Sequence, residues 1–141
     1  MRPQKPIFNN DVMTQDYVMV DGLHTVAAAI RMATEKNVSI LLVNKRHEHD
    51  AYGMVLMSDI ARKVLAKDRA PERMNVYEIM IKPVFAVDPD MDIRYTARLF
   101  ERFGINKAPV IESGNILGIV TYHDIVLKGM VAATQDPLPA P

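Results

Sequence analysis

Towards the C-terminal end of the chain, a threonine and an aspartate three residues apart could bind a small phosphorylated molecule. Residues 118–125 read GIVTYHDI, where Thr121 stands at a helix N-cap position and Asp124 follows one turn later on the same side. A threonine hydroxyl beside free backbone N–H groups can hold a phosphate. An ionised carboxylate only accepts hydrogen bonds, so it suits the vicinal hydroxyls of a ribose. The pair predicts a nucleotide site, although each residue alone is also a common helix cap or first-turn acid.

Nearly the same phrase, GMVLMSDI, occurs at residues 53–60. The spacing from Gly53 to Asp59 equals that from Gly118 to Asp124, and other landmarks recur 67 positions on, such as Val20 and Val87. A fixed offset predicts an internal duplication. The two copies differ in length at a polar stretch, NKRHEHDA in the first and IESGN in the second, and both stretches are typical of hairpin loops.

Each copy shows the same order of hydrophobic periodicities. A short strand at residues 18–20 or 84–87 is followed by a helix, then by two strands around the polar loop and by a closing helix. The apolar stripes fall on Val26, Ile30 and Ala33, then Ile93, Ala97 and Phe100, and in the closing helices on Ile60, Val64, Leu65, Ile125, Val126 and Met130. The fold class predicted is α/β (α+β), a tandem repeat of β-α-β-β-α units. Since one such unit leaves a sheet face apolar, we expect the two to pack sheet to sheet with pseudo-twofold symmetry.

The predicted limits are residues 10–67 for repeat 1 and 75–131 for repeat 2. Residues 67–74, KDRAPERM, are charged and contain proline, so they are predicted to form a linker. Residues 132–141 are rich in proline and have no periodic apolar residues, so we expect a disordered tail.

Composition excludes several classes of function. With 17 basic and 17 acidic residues among 141, the chain has no net charge that would attract nucleic acid. It contains no cysteine, and therefore neither a disulfide framework nor a thiolate metal site. Apolar runs are too short for a membrane helix and the start lacks the apolar core of a signal peptide, so a cytoplasmic location is expected.

Other chemistries are less well supported by the residues. His47 and His49 flank a glutamate, but they lie in a predicted loop without the three or four fixed ligands of a zinc site. No Gly-x-Ser-x-Gly elbow, phosphate-binding P-loop or Gly-x-Gly-x-x-Gly fingerprint occurs. The sequence therefore predicts no metal and no enzyme activity.

These features resemble the cystathionine-β-synthase (CBS) domain pair, also called the Bateman module, over roughly residues 10–131. In that family each repeat opens with a short helix, here at DVMT and EIMI, and closes with Gly, two apolar residues, Thr or Ser, two variable residues and Asp. GIVTYHD matches at every position. GMVLMSD departs from it because Leu56 replaces the hydroxyl residue, which puts a phosphate contact in copy one in doubt, and Ser58 is expected to cap that helix instead.

The resemblance implies adenosine-containing ligands, AMP, ADP or ATP with S-adenosylmethionine or NAD as alternatives, bound in clefts between the repeats. Thr121 would then contact phosphate and Asp124 ribose, with Asp59 as a ribose contact in copy one. The remaining positions carried over are backbone groups around Val84, Phe85 and Ala86 for adenine, Ile105 and Pro109 as apolar walls, and Lys107 and His123 for phosphate. Phe85 could equally be a core residue, and Lys107 a solvated strand end.

The predicted function is a stand-alone regulatory module that senses an adenine nucleotide and signals through self-association, expected to be a homodimer, or through an unknown effector protein. The alternative is a dimerisation or scaffold module whose ligand sites are vestigial. Leu56 favours the alternative, whereas Thr121 with Asp124 opposes it.

Overall fold

The computed structural model describes residues 5–131 and 137–141 of the chain. It contains two compact units. The first-repeat unit is Asp16–Val84, and the second-repeat unit joins the stretch that ends at Gln15 with the chain from Phe85 onward. The boundaries of these structural units differ from the predicted repeat limits, 10–67 and 75–131. Those limits describe the sequence repeat and stay a prediction.

The first-repeat unit contains the predicted strand, helix, strand, strand, helix order. Its elements are β1 Val18–Val20, α2 Val26–Lys36, β2 Ile40–Val43, β3 Gly53–Leu56 and α3 Met57–Ile60, preceded in the chain by α1 Asn9–Val12 of the other unit. The three strands form one sheet in the order β1-β2-β3, with β1 parallel and β3 antiparallel to β2. The apolar residues of α2 and the sheet form the buried core of this unit.

The second-repeat unit repeats this arrangement with one strand fewer. Its elements are α4 Ile93–Phe103, β4 Lys107–Glu112, β5 Asn115–Thr121 and α5 Tyr122–Asp124, and β4 pairs antiparallel with β5. Ile93 and Phe100 of α4 are buried in the core against β4 and β5, as the helical stripe predicted. The mixed α/β fold class is confirmed.

The predicted strand at residues 84–87 is wrong, because only Val87 pairs, in a parallel bridge with Val110. Val87 donates its N–H to the carbonyl of Pro109 and accepts from the N–H of Ile111, both at 3.0 Å. The next parallel bond towards the N-terminus would need an N–H at residue 109. Proline has none, so the ladder stops there.

Equivalent local signals position the two long helices. Thr25 caps α2 by accepting a hydrogen bond from Ala28 N–H, and Asp92 caps α4 by accepting from Arg94 N–H. Both helices end in a left-handed residue, Asn37 with φ 59° and Gly104 with φ 65°.

The closing helices differ from the predicted stripe. Val64 and Ile125 are buried, but Leu65, Val126 and Met130 are exposed. Each closing helix changes to π-helical spacing, at Ala61–Leu65 and Ile125–Met130. Wider spacing rotates later side chains away from the face that a 3.6-residue period predicts.

Two short segments, which we call arms, complete the sheets. The first arm is residues 9–14, comprising α1, Met13 and Thr14. The second arm is residues 76–81, which opens with a 3-10 turn, Val76–Glu78. Thr14 and Ile119 exchange two backbone hydrogen bonds of 2.9 Å, and Ile81 and Met54 do the same. The first arm, at the start of repeat 1, therefore pairs with β5 of repeat 2. The second arm, at the start of repeat 2, pairs with β3 of repeat 1.

The glycine of each repeated phrase lies against an arm. A Cβ atom on Gly118 would lie 2.9 Å from the carbonyl oxygen of Thr14, and one on Gly53 would lie 2.9 Å from Sδ of Met80. Both distances are too short for real contacts. At Gly118 the neighbour is backbone, so glycine is required there for the close approach of arm and strand. At Gly53 the Met80 side chain can move aside, and the nearest backbone atom, the carbonyl oxygen of Ile81, would lie at a tight 3.3 Å.

A polar pair distinguishes the docking of the first arm. The Asn9 side chain is fully buried, donates to the carbonyl of Asp88 at 2.9 Å and accepts from the Thr96 hydroxyl at 2.7 Å. The positions 67 residues away are Val76 and Ala29, both buried in the core of the first-repeat unit. At this position the first arm is held by side-chain hydrogen bonds and the second by apolar packing.

The predicted linker is partly structured, because Met74 is buried and its carbonyl accepts from Val26 N–H at 2.8 Å. Of the predicted disordered tail, residues 132–136 lie outside the described residues, and residues 137–141 are exposed without helix or strand. None of the described helices is long and apolar enough to span a membrane.

Replacing Gly118 by alanine is expected to destabilise the protein by about 1–3 kcal/mol, because the new methyl group must push the first arm away from β5. Chemical denaturation would measure this. Gly22→Ala is the matched control, since its Cβ would meet the nearest atom, Cβ of Tyr77, at 3.4 Å, an ordinary contact. An equal loss in both variants would show that close approach to the arm does not explain the repeated glycine.

Candidate functional site

Thr121 and Asp124 form a reciprocal capping box at the junction of β5 and α5. The Thr121 hydroxyl accepts from Asp124 N–H at 3.1 Å and donates to Asp124 Oδ2 at 2.9 Å, and Thr121 N–H lies 3.2 Å from the same oxygen. The predicted N-cap at Thr121 is confirmed. One carboxylate oxygen is therefore used to hold the threonine in place.

The second oxygen of Asp124 is less occupied. Within the described part of the chain, the only ionic partner of Asp124 is Lys128, whose Nζ lies 3.9 Å from Oδ1. This distance permits an ion pair but not a hydrogen bond. Oδ1 thus retains capacity to accept hydrogen bonds from a ligand, although the side chain is 8% exposed.

The start of α5 is fixed from two sides. Tyr122 donates its N–H to the carbonyl of Asn106 at 3.0 Å, and its ring packs edge-on against Phe100 with centroids 5.2 Å apart. The β4–β5 register places Lys107 directly opposite Thr121. Lys107 is half-buried, and no salt bridge to it occurs among residues 5–131 and 137–141. Hydroxyl, carboxylate and ammonium groups therefore come from one end of this strand pair.

Most other predicted site residues belong to the same unit. Phe85 and Ile105 are half-buried against its core, and the Phe85 ring lies 5.0 Å from that of Phe103. Ala86 is exposed, and Pro109 is buried in β4. The segment containing Phe85 and Ala86 runs beside β4, because Val87 bridges to Val110.

His123 is exposed on α5, between Tyr122 and Asp124. Its imidazole makes no hydrogen bond or salt bridge with the described residues. A phosphate contact by His123 stays a prediction.

Val84 belongs instead to the first-repeat unit. Its N–H donates to the carbonyl of Tyr52 at 3.0 Å, so only its carbonyl remains for the predicted adenine contact. The neighbouring Lys82 lies 2.7 Å from Asp50. Hydrogen bonds from Arg46 and Lys82 hold the pKa of the Asp50 carboxyl far below its usual range.

Asp59, the counterpart of Asp124, has different partners. Its Oδ2 accepts from Leu56 N–H at 2.8 Å, and its Oδ1 lies 3.2 Å from Nη2 of Arg62 and 3.8 Å from Nζ of Lys63. The expectation that Ser58 caps this helix is wrong. Leu56 occupies the N-cap, because the extended backbone ends there and Asp59 satisfies its N–H.

The two copies differ in charge at their aspartates. Arg62, which binds Asp59, is replaced by Leu127 at the equivalent position of the second copy. Ile40 of copy one likewise stands where copy two has Lys107. The structure therefore engages both oxygens of Asp59 but leaves one oxygen of Asp124 without a hydrogen bond from the described residues.

Sequence reasoning missed Arg62 and the two lysines, Lys63 and Lys128. The signal was present in the repeat, since both phrases continue past Asp-Ile with a lysine four residues after the aspartate. That spacing places a cation over the carboxylate on the next helical turn.

His47 and His49 are exposed in the loop between β2 and β3. The nearby Asp50 is engaged by Lys82 and Arg46. No cluster of three or more potential metal ligands occurs in the part of the chain that the structure describes.

The CBS domain profile matches residues 10–66 and 76–130. A hexameric CBS-CP12 protein from bloom-forming cyanobacteria is 40% identical, with a TM-score of 0.85 over 94% of this chain and 76% of that one. The CBS domain pair of protein MJ0100, solved with 5′-methylthioadenosine and S-adenosyl-L-methionine, is 21% identical, with a TM-score of 0.76 over 92% of this chain and 100% of that one.

An uncharacterized protein from Methanopyrus kandleri is 29% identical over 102 residues, 72% of this chain and 51% of that protein. Matches in Methanocaldococcus jannaschii and Thermofilum pendens cover 59% and 42% of those proteins. The chain thus spans about half the length of these curated relatives. The profile match over both repeats shows that the chain belongs to the CBS domain family, as a CBS domain pair.

Proposed function

We propose that this CBS domain pair is a regulatory module that binds an adenine nucleotide, AMP, ADP or ATP, in its second-repeat unit. The observation that carries the proposal is the convergence of Thr121, Asp124 and Lys107 at one end of the β4–β5 pair. Ribose hydroxyls would donate to Oδ1 of Asp124, and phosphate would take Lys107 as its counter-charge. Proteins of the family are in general regulatory rather than catalytic.

The apolar part of the ligand has suitable surfaces beside these groups. Phe85 and Ile105 are half-buried, so each retains an accessible face for an adenine ring. Ala86 supplies exposed backbone next to Phe85. S-adenosylmethionine and NAD share the adenosine part and are the alternatives, and a protein of this fold was solved with S-adenosyl-L-methionine and 5′-methylthioadenosine.

The first-repeat unit supports a different expectation. Leu56 and Ile40 provide no phosphate contact, and Arg62 competes for the Asp59 carboxylate. A ribose at Asp59 would have to displace this ion pair. These contacts favour, for this copy, the second candidate function, a scaffold module with a vestigial site.

For ligand binding to have an effect, it must favour one state of the protein over another. We infer that copies of the chain self-associate, because large apolar side chains are exposed on both units, Leu23 and Leu65 on the first-repeat unit and Tyr95, Val126, Leu127 and Met130 on the second. A homodimer is the simplest closed assembly, although the CBS-CP12 relative is hexameric. An effector protein and a cytoplasmic location stay predictions.

Thermal denaturation with AMP, ADP, ATP, S-adenosylmethionine and NAD tests the proposal directly. A ligand at a hundred times its Kd should raise the free energy of unfolding by about 2.7 kcal/mol, since it binds the folded state alone. Guanosine nucleotides at equal concentration control for general phosphate effects. If no adenosine compound stabilises the protein, the scaffold function is the better account.

Asp124→Ala should weaken binding of the stabilising nucleotide by about 1.5–3 kcal/mol, the scale of a hydrogen bond to a charged group. Isothermal titration calorimetry measures this, and Asp59→Ala is the matched control in the other copy. Because Arg62 already engages Asp59, the control should change affinity for that nucleotide by less than about 0.5 kcal/mol. Wild-type affinity in Asp124→Ala would contradict the ribose role.

Sedimentation velocity should show the wild-type chain larger than a monomer. Leu65→Glu, at a position whose side chain is 78% exposed, should shift the protein towards monomer while leaving its thermal stability largely unchanged. A monomeric wild type, or a variant that assembles as well as the wild type, would exclude this surface from self-association.

A further inference from the structure

Each unit contains a lysine that lies between the motif aspartate and an arm. Lys128 Nζ is 3.9 Å from Oδ1 of Asp124 and 3.5 Å from the carbonyl oxygen of Val12 in the first arm. Lys63 Nζ is 3.8 Å from Oδ1 of Asp59 and 3.0 Å from the carbonyl oxygen of Ile79 in the second arm.

The two arrangements are equivalent through the sequence repeat. Lys63 and Lys128 are 65 positions apart, as the two aspartates are, and Val12 and Ile79 are 67 apart, as the arms are. The same three-part contact thus forms in both units, although the residues between aspartate and lysine differ, IAR in one copy and IVL in the other. The first copy has Leu56 and Ile40 where the second has Thr121 and Lys107, yet it keeps the lysine. Phosphate binding therefore does not explain why the lysine is present in both copies.

The groups around each lysine explain why a cation with several donors stands there. Val12 ends α1 and Ile79 follows the 3-10 turn of the second arm, so their carbonyls lie at helix ends, where a cation is favourable. A lysine has three donors and can serve a carbonyl and a carboxylate together. The nearly buried aspartate, 2% exposed for Asp59 and 8% for Asp124, in turn holds the ammonium group in place.

We propose that Lys128 and Lys63 are positioning residues that couple the motif aspartate of each unit to the docking of its arm. In the second-repeat unit, the carboxylate oxygen facing Lys128 is Oδ1 of Asp124, the oxygen assigned to ribose. Nucleotide binding there would therefore change the docking of the first arm, and this part of the inference rests on the proposed function. A ribose hydroxyl that donates a hydrogen bond to Oδ1 weakens the pull of Asp124 on Lys128. The lysine then moves towards the Val12 carbonyl, and the first arm is held more tightly against β5.

Hydrogen exchange of the ligand-free protein tests the coupling without any nucleotide. The reporters are the Thr14 amide, bonded to Ile119 in the first arm, and the Ile81 amide, bonded to Met54 in the second. Lys128→Met should speed exchange at Thr14 by about fivefold, the factor for one net hydrogen bond, and leave Ile81 unchanged. Lys63→Met is the matched variant and should do the reverse.

Asp124→Asn should slow exchange at Thr14, because it releases Lys128 towards the Val12 carbonyl, and should have little effect in the Lys128→Met background. An Asp124→Asn effect that persists undiminished in that background would mean that the aspartate acts through the capping box, which overturns the coupling. Lys128→Arg, which keeps the charge, should restore part of the protection. Unchanged exchange at Thr14 in Lys128→Met, or equal loss at both amides, would overturn the proposal.

Ligand titration separates this inference from the proposed function. If a nucleotide binds, the wild type should show slower exchange at Thr14, whereas Lys128→Met should bind but show no change there. Binding that slows Thr14 equally in both proteins would overturn the coupling and leave the proposed function intact. If no nucleotide binds, the proposed function fails, and the ligand-free double-mutant comparison still decides the link between Asp124 and the arm.

Discussion

The pairing of each arm with the last strand of a unit is the contact on which the structure depends. It brings Thr14 against Ile119 and Ile81 against Met54, in each case directly beside the motif glycine. The glycine lies at this close approach, the aspartate follows in the first turn of the closing helix, and the lysine lies one turn beyond the aspartate. The repeated phrase is therefore a structural motif in both units.

Duplication followed by divergence explains why the two copies differ chemically while their folds agree. The residues that hold the arms, the glycine and the lysine, occur in both. The side chains suited to phosphate, Thr121 and Lys107, occur in the second copy alone, where Leu127 also leaves Asp124 without the guanidinium that binds Asp59. The charge distribution around the aspartate, rather than the backbone, separates a candidate binding site from a structural ion pair.

Periodicity and the repeat predicted most elements from the sequence, because they record which faces are buried. α2 buries Val26 and Ala33 of its predicted stripe, and α4 buries Ile93 and Phe100, while the middle residue of each stripe is half-buried. The Thr121 N-cap follows from local chemistry. The failures have different causes: Pro109, distant in the chain, interrupts the ladder with residues 84–87, and Leu65 and Val126 are exposed in segments of π-helical spacing. Which unit an arm completes depends on contacts between residues far apart in the chain, such as Asn9 with Thr96, and no local pattern encodes it.

Because each arm pairs with a strand of the other repeat, one structural unit is continuous in sequence and the other is not. Asp16–Val84 is one continuous piece that already contains the arm it needs, residues 76–81. The other half is discontinuous, because its arm belongs to the N-terminal stretch that ends at Gln15, separate in sequence from residues 85 onward. Removal of the stretch that ends at Gln15 would consequently take an arm from the half with the candidate nucleotide site, and would leave the arm of the other half in place.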